Sequence, residues 1–190
     1  MKYTVLIVSC IFFLWIGFFQ VSATSSKELQ AAKYLSERWI IAPVMTDSEY
    51  RIEGTITRKE VSKIVAKLAW VNPQEKCEKK FSDVSADWGC KYIEWMLSAW
   101  YIAPNKTFRP DDNITKSEAI KLIFKARNIE KKYSTDNWQA DYAKTASELW
   151  LVDHYTDYTS NALRGWIFRV AARGFDEYKQ KEVFISDEAL

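Results

Sequence analysis

The chain has 190 residues, of which 48% are hydrophobic and 15% aromatic, with 27 basic against 25 acidic side chains. That is the composition of a folded domain and not of a disordered tether. A near-neutral balance without a basic run or a nucleic-acid motif argues against a nucleic-acid partner, and few glycines with a strong 3.6-residue periodicity point to an all-α fold.

In chain order, Met1 to Thr4 carry one lysine, Val5 to Phe19 form an apolar run of fifteen, and Val21-Ser22-Ala23 places small residues where a signal peptidase reads. Residues 1–23 are therefore expected to be a secretory signal peptide cleaved after Ala23. The rival reading is a retained membrane anchor, although a spanning helix wants about 20 apolar residues. Ile7-Val8-Ser9-Cys10 resembles a lipoprotein cleavage box, but a cut there would leave the most apolar part of the segment in the product. Cleavage after Ala23 would leave Ser25 and Glu28 as a capping box for the first helix.

Beyond Ala23 the sequence repeats itself. Tyr34-Leu35-Ser36-Glu37-Arg38-Trp39-Ile40-Ile41-Ala42-Pro43 matches Trp95-Met96-Leu97-Ser98-Ala99-Trp100-Tyr101-Ile102-Ala103-Pro104 position for position, and Ile56-Thr57-Arg58-Lys59-Glu60 matches Ile114-Thr115-Lys116-Ser117-Glu118. Tyr50-Arg51 falls opposite Phe108-Arg109 in the intervening loop. In the central copy, Ser85-Ala86-Asp87 is a start signal and Ile93, Met96 and Trp100 form the apolar stripe of a short helix. Thr115 and Glu118 then form a capping box, ahead of a helix with Ala119, Leu122, Ile123 and Ala126 on one face. A third copy is eroded: Trp138 and Trp150 keep the spacing of Trp88 and Trp100, but Leu163 and Trp166 stand where the capping Thr and Glu should be. Each copy reads as helix, loop, helix, and a unit of this kind buries its apolar face only by stacking on its neighbours. The expected organisation is a single domain over 24–176, built of repeats at about 24–72, 77–131 and 134–176, with a tail at 177–190.

Phe81-Ser82-Asp83-Val84, the Trp88 shortly after it, and Thr107-Phe108-Arg109-Pro110 leading to Ile114-Thr115-Lys116-Ser117-Glu118-Ala119 resemble the S-layer homology domain, with its F-x-D-V lead-in, F-x-P loop and I-T-R-A-E motif. The resemblance implies three tandem repeats in a pseudo-threefold arrangement. It also implies secretion to the cell surface and noncovalent attachment to a cell-wall polysaccharide, often an acidic, pyruvate-bearing one held in grooves between repeats. Two departures stand out. The glycines usual in the loop are replaced around Pro104 and Asn105, and the first repeat lacks the lead-in. The alternative is a structural protein of the envelope whose repeats contact other surface proteins; a membrane partner is expected only if the N-terminal segment is retained.

Cys77 and Cys90 bracket the lead-in to the central unit, and in an exported chain they read first as a disulfide, the alternative being two thiols with Cys90 buried on its helix. No metal set is evident, since beside them stand only the leader's Cys10 and the single His154. No cofactor motif is present, and no Ser or Cys has a nucleophile's setting, so catalysis is unmotivated. Trp39, Trp100 and Trp150 read as core residues ending the stripes of their helices, whereas Trp88 and Trp138 begin helices, where a ring is either core or half exposed for a sugar to stack on. Arg58, Lys116 and Arg164 occupy one position, directly after the capping Thr57 and Thr115 and the equivalent Leu163. A cation there costs about 0.3–1 kcal/mol against the helix dipole, so its recurrence points to another use: an anion held by the cation and the free first-turn N–H groups.

Overall fold

The computed structural model describes residues 27–74, 76–154, 157–176 and residue 178. The expected signal peptide, the Ser25 half of the first capping box, and nearly all of the 177–190 tail lie outside these residues. Helix α1 covers 27–37, a single 3-10 turn covers Asp47–Tyr50, and five helices come after it: α2 Arg58–Leu68, α3 Cys90–Ser98, α4 Lys116–Ala126, α5 Trp138–Glu148 and α6 Arg164–Arg173. Among the described residues there is no sheet, only isolated bridges, so the all-α expectation holds.

The starts of α2 and α4 are set directly by sequence. Thr57 and Thr115 take extended backbone, their hydroxyls accept from the amides of Glu60 and Glu118, and each Glu carboxylate accepts from the Thr amide in return. Helix α6 has no such box. Its first N–H groups go to a neighbouring loop, and so do those of the other two. Arg58 and Lys59 donate from their amides to the carbonyls of Asp112 and Pro110; Lys116 and Ser117 donate to Ser160 and Tyr158; Arg164 and Gly165 donate to Gly54 and Ile52, all at 2.8–3.0 Å. The second helix of the first pair is thus capped by the loop of the second pair, that of the second by the loop of the third, and that of the third by the loop of the first. The bridges Thr57 to Asn113, Thr115 to Asn161 and Thr55 to Leu163 close the same circuit. A helix start has four orphan donors to satisfy, and here two of them are met by a neighbour in all three pairs.

The first and last described residues complete the circuit. Tyr178 packs on Tyr34 with ring centroids 4.7 Å apart, and its hydroxyl donates to the Lys27 carbonyl. One continuous apolar core, including Leu35, Ile56, Leu68, Phe81, Ile93, Ile123 and Ile167, runs through the three helix pairs. At the far ends of the second helices the Arg127 guanidinium donates to the carbonyls of Leu68 and Gly174 while its backbone amide caps its own α4, so three C-termini meet at one residue. That placement suits the negative pole each helix presents there.

Cys77 and Cys90 are joined by a disulfide, with Cα atoms 5.7 Å apart. The Glu94 carboxylate, on the next turn, accepts from the amides of Glu78 and Lys80, so the same short segment is held twice.

The tryptophans correct the sequence reading. Trp39, Trp100 and Trp150 are not core residues: they are 73%, 76% and 79% exposed. Each helical stripe ends before it reaches them. α1, α3 and α5 stop in a Schellman motif whose C′ residue is the tryptophan, for example Trp100 N–H to Leu97 O and Tyr101 N–H to Met96 O. The tryptophan takes a left-handed backbone, φ 58, 60 and 58, which turns the indole into solvent. Trp70, closing α2 with φ 57, does the same.

Candidate functional site

The shared position after the capping residue is where the structure adds most. Arg58 reaches across to Glu118, Nη1 to Oε1 at 2.7 Å, and donates from Nε to the Phe108 carbonyl at 3.0 Å. Arg164 reaches Glu60 at 2.6 Å. Each arginine is therefore paired with the capping glutamate of the pair whose loop caps its helix. Lys116 would meet the third such glutamate, but Trp166 stands there; its ammonium instead pairs with Asp157 at 2.8 Å and lies over the Trp166 ring at 5.9 Å. The dipole penalty at these cations is offset by a carboxylate from the next pair, and the first two N–H groups of all three helices are already taken by loop carbonyls, the third of α2 and α4 by a threonine hydroxyl. Any anion would be met by the side-chain cations, not by the helix amides.

Burial acts against the charge of Glu60 and Glu118, but the threonine amide and hydroxyl and the facing arginine outweigh it and hold both carboxyls below the ordinary carboxylate range. Thr57 and Thr115 consequently position the glutamates and do not face outward themselves. Asp83 of the lead-in works the same way on the loop: its carboxylate accepts from the amides of Phe108 and Arg109, at 2.9 and 2.7 Å, and is held low despite desolvation.

A groove opens beside each of these cations. The first, about 310 Å³, brings Arg164 of the third pair together with Tyr50, Arg51 and Lys63 of the first and with Trp88 of the second. Trp88 is 48% exposed, and the ammonium groups of Lys59 and Lys63 lie 5.5 and 5.8 Å from its ring. The second groove holds Arg58, Lys106 and Arg109 around Phe108 and Asn105. The third holds Lys116 and Trp166, but with Asp153, His154 and Asp157 in its wall. Asp153 there is engaged by Arg173 at 2.8 Å and by Arg169. Trp138 is half exposed under Lys121, 4.8 Å from the ring, outside these three grooves.

So the structure brings Arg164 and Trp88 into one groove and assigns Arg58 and Lys116 to two others. Sequence reading passed over Arg51, Lys63 and Arg109 as site residues. Arg51 and Arg109 had a usable signal, since Tyr50-Arg51 aligns with Phe108-Arg109 in the loop; in the structure both take a left-handed backbone, φ 50 and 62. Lys63 had none, because its relation to Trp88 exists only once two helix pairs pack.

Residues 80–120 match the family model of the S-layer homology domain. Among curated proteins, the chain is 33% identical over 95 residues to an exoglucanase of Acetivibrio thermocellus, covering 49% of this chain and 9% of that protein. It is 29% identical over 99 residues to a cellulosome-anchoring protein of the same species, 49% of this chain and 22% of the relative. To the middle cell wall protein of Brevibacillus brevis it is 27% identical over 130 residues, 65% of this chain and 12% of the relative. The chain thus spans from about a tenth to a fifth of the length of these relatives, and the matched part of the exoglucanase is a small share of that enzyme. The part of the chain that is similar to the S-layer homology domain thus comprises the lead-in that Asp83 ties to the loop, helix α3 and the first half of α4.

Proposed function

We propose that this chain is a non-catalytic cell-surface anchoring module, whose three helix-loop-helix repeats sit about a pseudo-threefold axis and hold an acidic cell-wall polysaccharide, of the pyruvate-bearing class, in the grooves between them. The observation that carries the reading is the first groove, where three cations, Arg51, Lys63 and Arg164, converge with the exposed Trp88 from the three helix pairs. An indole face suits the apolar face of a pyranose, and clustered cations suit its carboxylates. Arg164 and Arg58 are themselves paired with Glu60 and Glu118, but the first groove adds Arg51 and Lys63 against Glu49 and the second adds Lys106 and Arg109, whereas the third sets Asp153 and Asp157 against its one lysine. The ligand is therefore held chiefly by the first two. The names of two relatives, a cellulosome-anchoring protein and a middle cell wall protein, support a surface location. Export would require cleavage after Ala23, for which N-terminal analysis of the secreted protein is the check.

Sedimentation with purified sacculi, before and after the secondary polysaccharide is stripped, tests the ligand. Binding is expected to disappear on stripping, and R164A is expected to weaken it about tenfold, the scale of one charge-assisted contact. Binding that survives stripping would overturn the polysaccharide and favour contact with other envelope proteins.

A further inference from the structure

The first two grooves carry their cations differently. In the first, Lys63 and Arg164 stand on α2 and α6, and Arg51 follows a 3-10 turn that Thr46 and Glu49 cap from within the loop. In the second, about 400 Å³, Arg58 alone stands on a helix among the described residues. Lys106 and Arg109 stand on the loop from Ile102 to Arg109, which has no helix or strand, and Phe81 closes the wall from the lead-in. Arg109 has a left-handed backbone, φ 62, and a non-glycine residue persists in that conformation only where its surroundings hold it.

The lead-in supplies that hold. Phe81, 2% exposed, packs on the Phe108 ring with centroids 5.6 Å apart. Ser82 donates from its amide and its hydroxyl to the Lys106 carbonyl, at 3.0 and 3.1 Å. Asp83 accepts from the amides of Phe108 and Arg109, one on each carboxylate oxygen. The bonds made by the Ser82 hydroxyl and the Arg109 amide lie at the surface, where water competes for both partners. They fix the loop only if the lead-in is itself fixed, and that step falls to α3. Cys90, fully buried in its first turn, holds Cys77 through the disulfide, and Glu94, one turn on, holds the amides of Glu78 and Lys80. Order thus passes from α3 to the lead-in, from the lead-in to the loop, and from the loop to its two cations.

We infer that Cys77, Cys90 and Asp83 are positioning residues of the second groove: the disulfide fixes the lead-in, Asp83 carries that order to the Arg109 amide, and Lys106 and Arg109 are held beside Arg58 for a carboxylate of the wall polymer. Preorganisation strengthens binding by removing an ordering cost from the binding step. The affinity of this groove therefore depends on the redox state of one bond. A dithiol reductant, closing to its own disulfide, leaves Cys77 and Cys90 as two thiols and frees the lead-in from the start of α3. The first groove escapes this dependence, since its cations stand on helices or on the self-capped loop. Its Trp88 is held separately, by Asp87, which accepts from the Gly89 amide at 2.8 Å and pairs with Lys59 at 3.0 Å. The inference rests on the reading of the grooves as polysaccharide sites and adds which bond controls one of them.

The test measures binding of the full chain to purified wall polysaccharide for the oxidised parent, the parent reduced with dithiothreitol, Cys77→Ser with Cys90→Ser, and Asp83→Asn, each at a temperature where circular dichroism shows native helix content. The reduced parent and both variants are expected to bind about tenfold more weakly, the scale of one lost charge-assisted contact. Reoxidation should restore the parent, and reductant should leave the double-serine variant unchanged. Asp83→Asn keeps the disulfide, so it carries the comparison if the thiol forms do not fold. A merely structural role is separated by Lys106→Ala with Arg109→Ala: once the loop cations are gone, reductant is expected to have no further effect on binding. If reductant weakens that variant by the same factor as the parent, the disulfide acts through the whole fold and the positioning role is refuted. It is refuted also if the reduced parent and Asp83→Asn bind like the oxidised parent while R164A binds more weakly, an outcome that leaves the groove reading standing. An oxidised parent that does not bind the polysaccharide at all would overturn the groove reading, and this inference with it.

Discussion

Helices α4 and α6 occupy equivalent places in their pairs and begin in opposite ways. α4 has its capping box, its disulfide-tied partner helix α3 and an arginine bonded to its capping glutamate; α6 has Leu163 and Trp166 at those positions and no side-chain cap. Both nevertheless start at the same point of the unit, because the loop of the next pair accepts their first two amides. The difference teaches that the box adds stability to a start that backbone exchange has already fixed. An eroded motif therefore need not mean an eroded structure.

The comparison breaks most sharply at the disulfide, which only the second pair possesses among the described residues. Replacing Cys77 and Cys90 by serine should cost about 3 kcal/mol, read as a lower urea midpoint that reductant no longer shifts. Next is Glu118, which serves both its own cap and Arg58: Glu118→Ala should cost about 2 kcal/mol, whereas Trp166→Ala, at the corresponding place, should cost clearly less. Equal losses would mean that the box contributes nothing beyond packing. In the other direction, Leu163→Thr with Trp166→Glu should give α6 a box and Lys116 a new partner, raising stability by about 1 kcal/mol.

Acid supplies the smallest expected effect. Glu60 and Glu118 have depressed folded pKa values, so the stability they contribute is present above the ordinary carboxylate pKa and is lost as pH falls through the lower folded value. Thermal melts between neutral pH and pH about 3 should show that loss, and Glu118→Gln should flatten it; an unchanged slope would contradict the assignment.

Legibility in the sequence depended on whether a signal sits in a side chain. Thr57, Glu60, Thr115 and Glu118 announce their helix starts because a capping box is a side-chain device. The ring of backbone bonds from Arg58, Lys116 and Arg164 to carbonyls of other loops leaves no residue-type trace. For that reason the cations at these positions read from the sequence as an anion site, whereas Arg58 and Arg164 face Glu118 and Glu60, and Lys116 faces Asp157. Trp39, Trp100 and Trp150 misled through periodicity, which gives the phase of a stripe but not the residue at which the helix unwinds. Their left-handed backbone, of order 1–2 kcal/mol unfavourable for a non-glycine residue, is invisible to a pattern of apolar spacings.

The meeting of Tyr178 with Lys27 and Tyr34 bears on how the chain could be rewired. With its first and last described residues in contact and each helix pair bonded to both others, the molecule has a circular order that the linear order only happens to cut at one place. A circular permutant that joins these ends by a short linker and opens the chain in the exposed stretch around Glu130 would keep every inter-pair bond. It would also bring the third pair ahead of the first, turning the bonds between Arg164 and Gly54 into nearer ones and those between Lys116 and Ser160 into more distant ones. Since folding rate follows the mean separation of contacts in sequence and one closure shortens as another lengthens, such a permutant should fold at a rate and to a stability close to those of its parent.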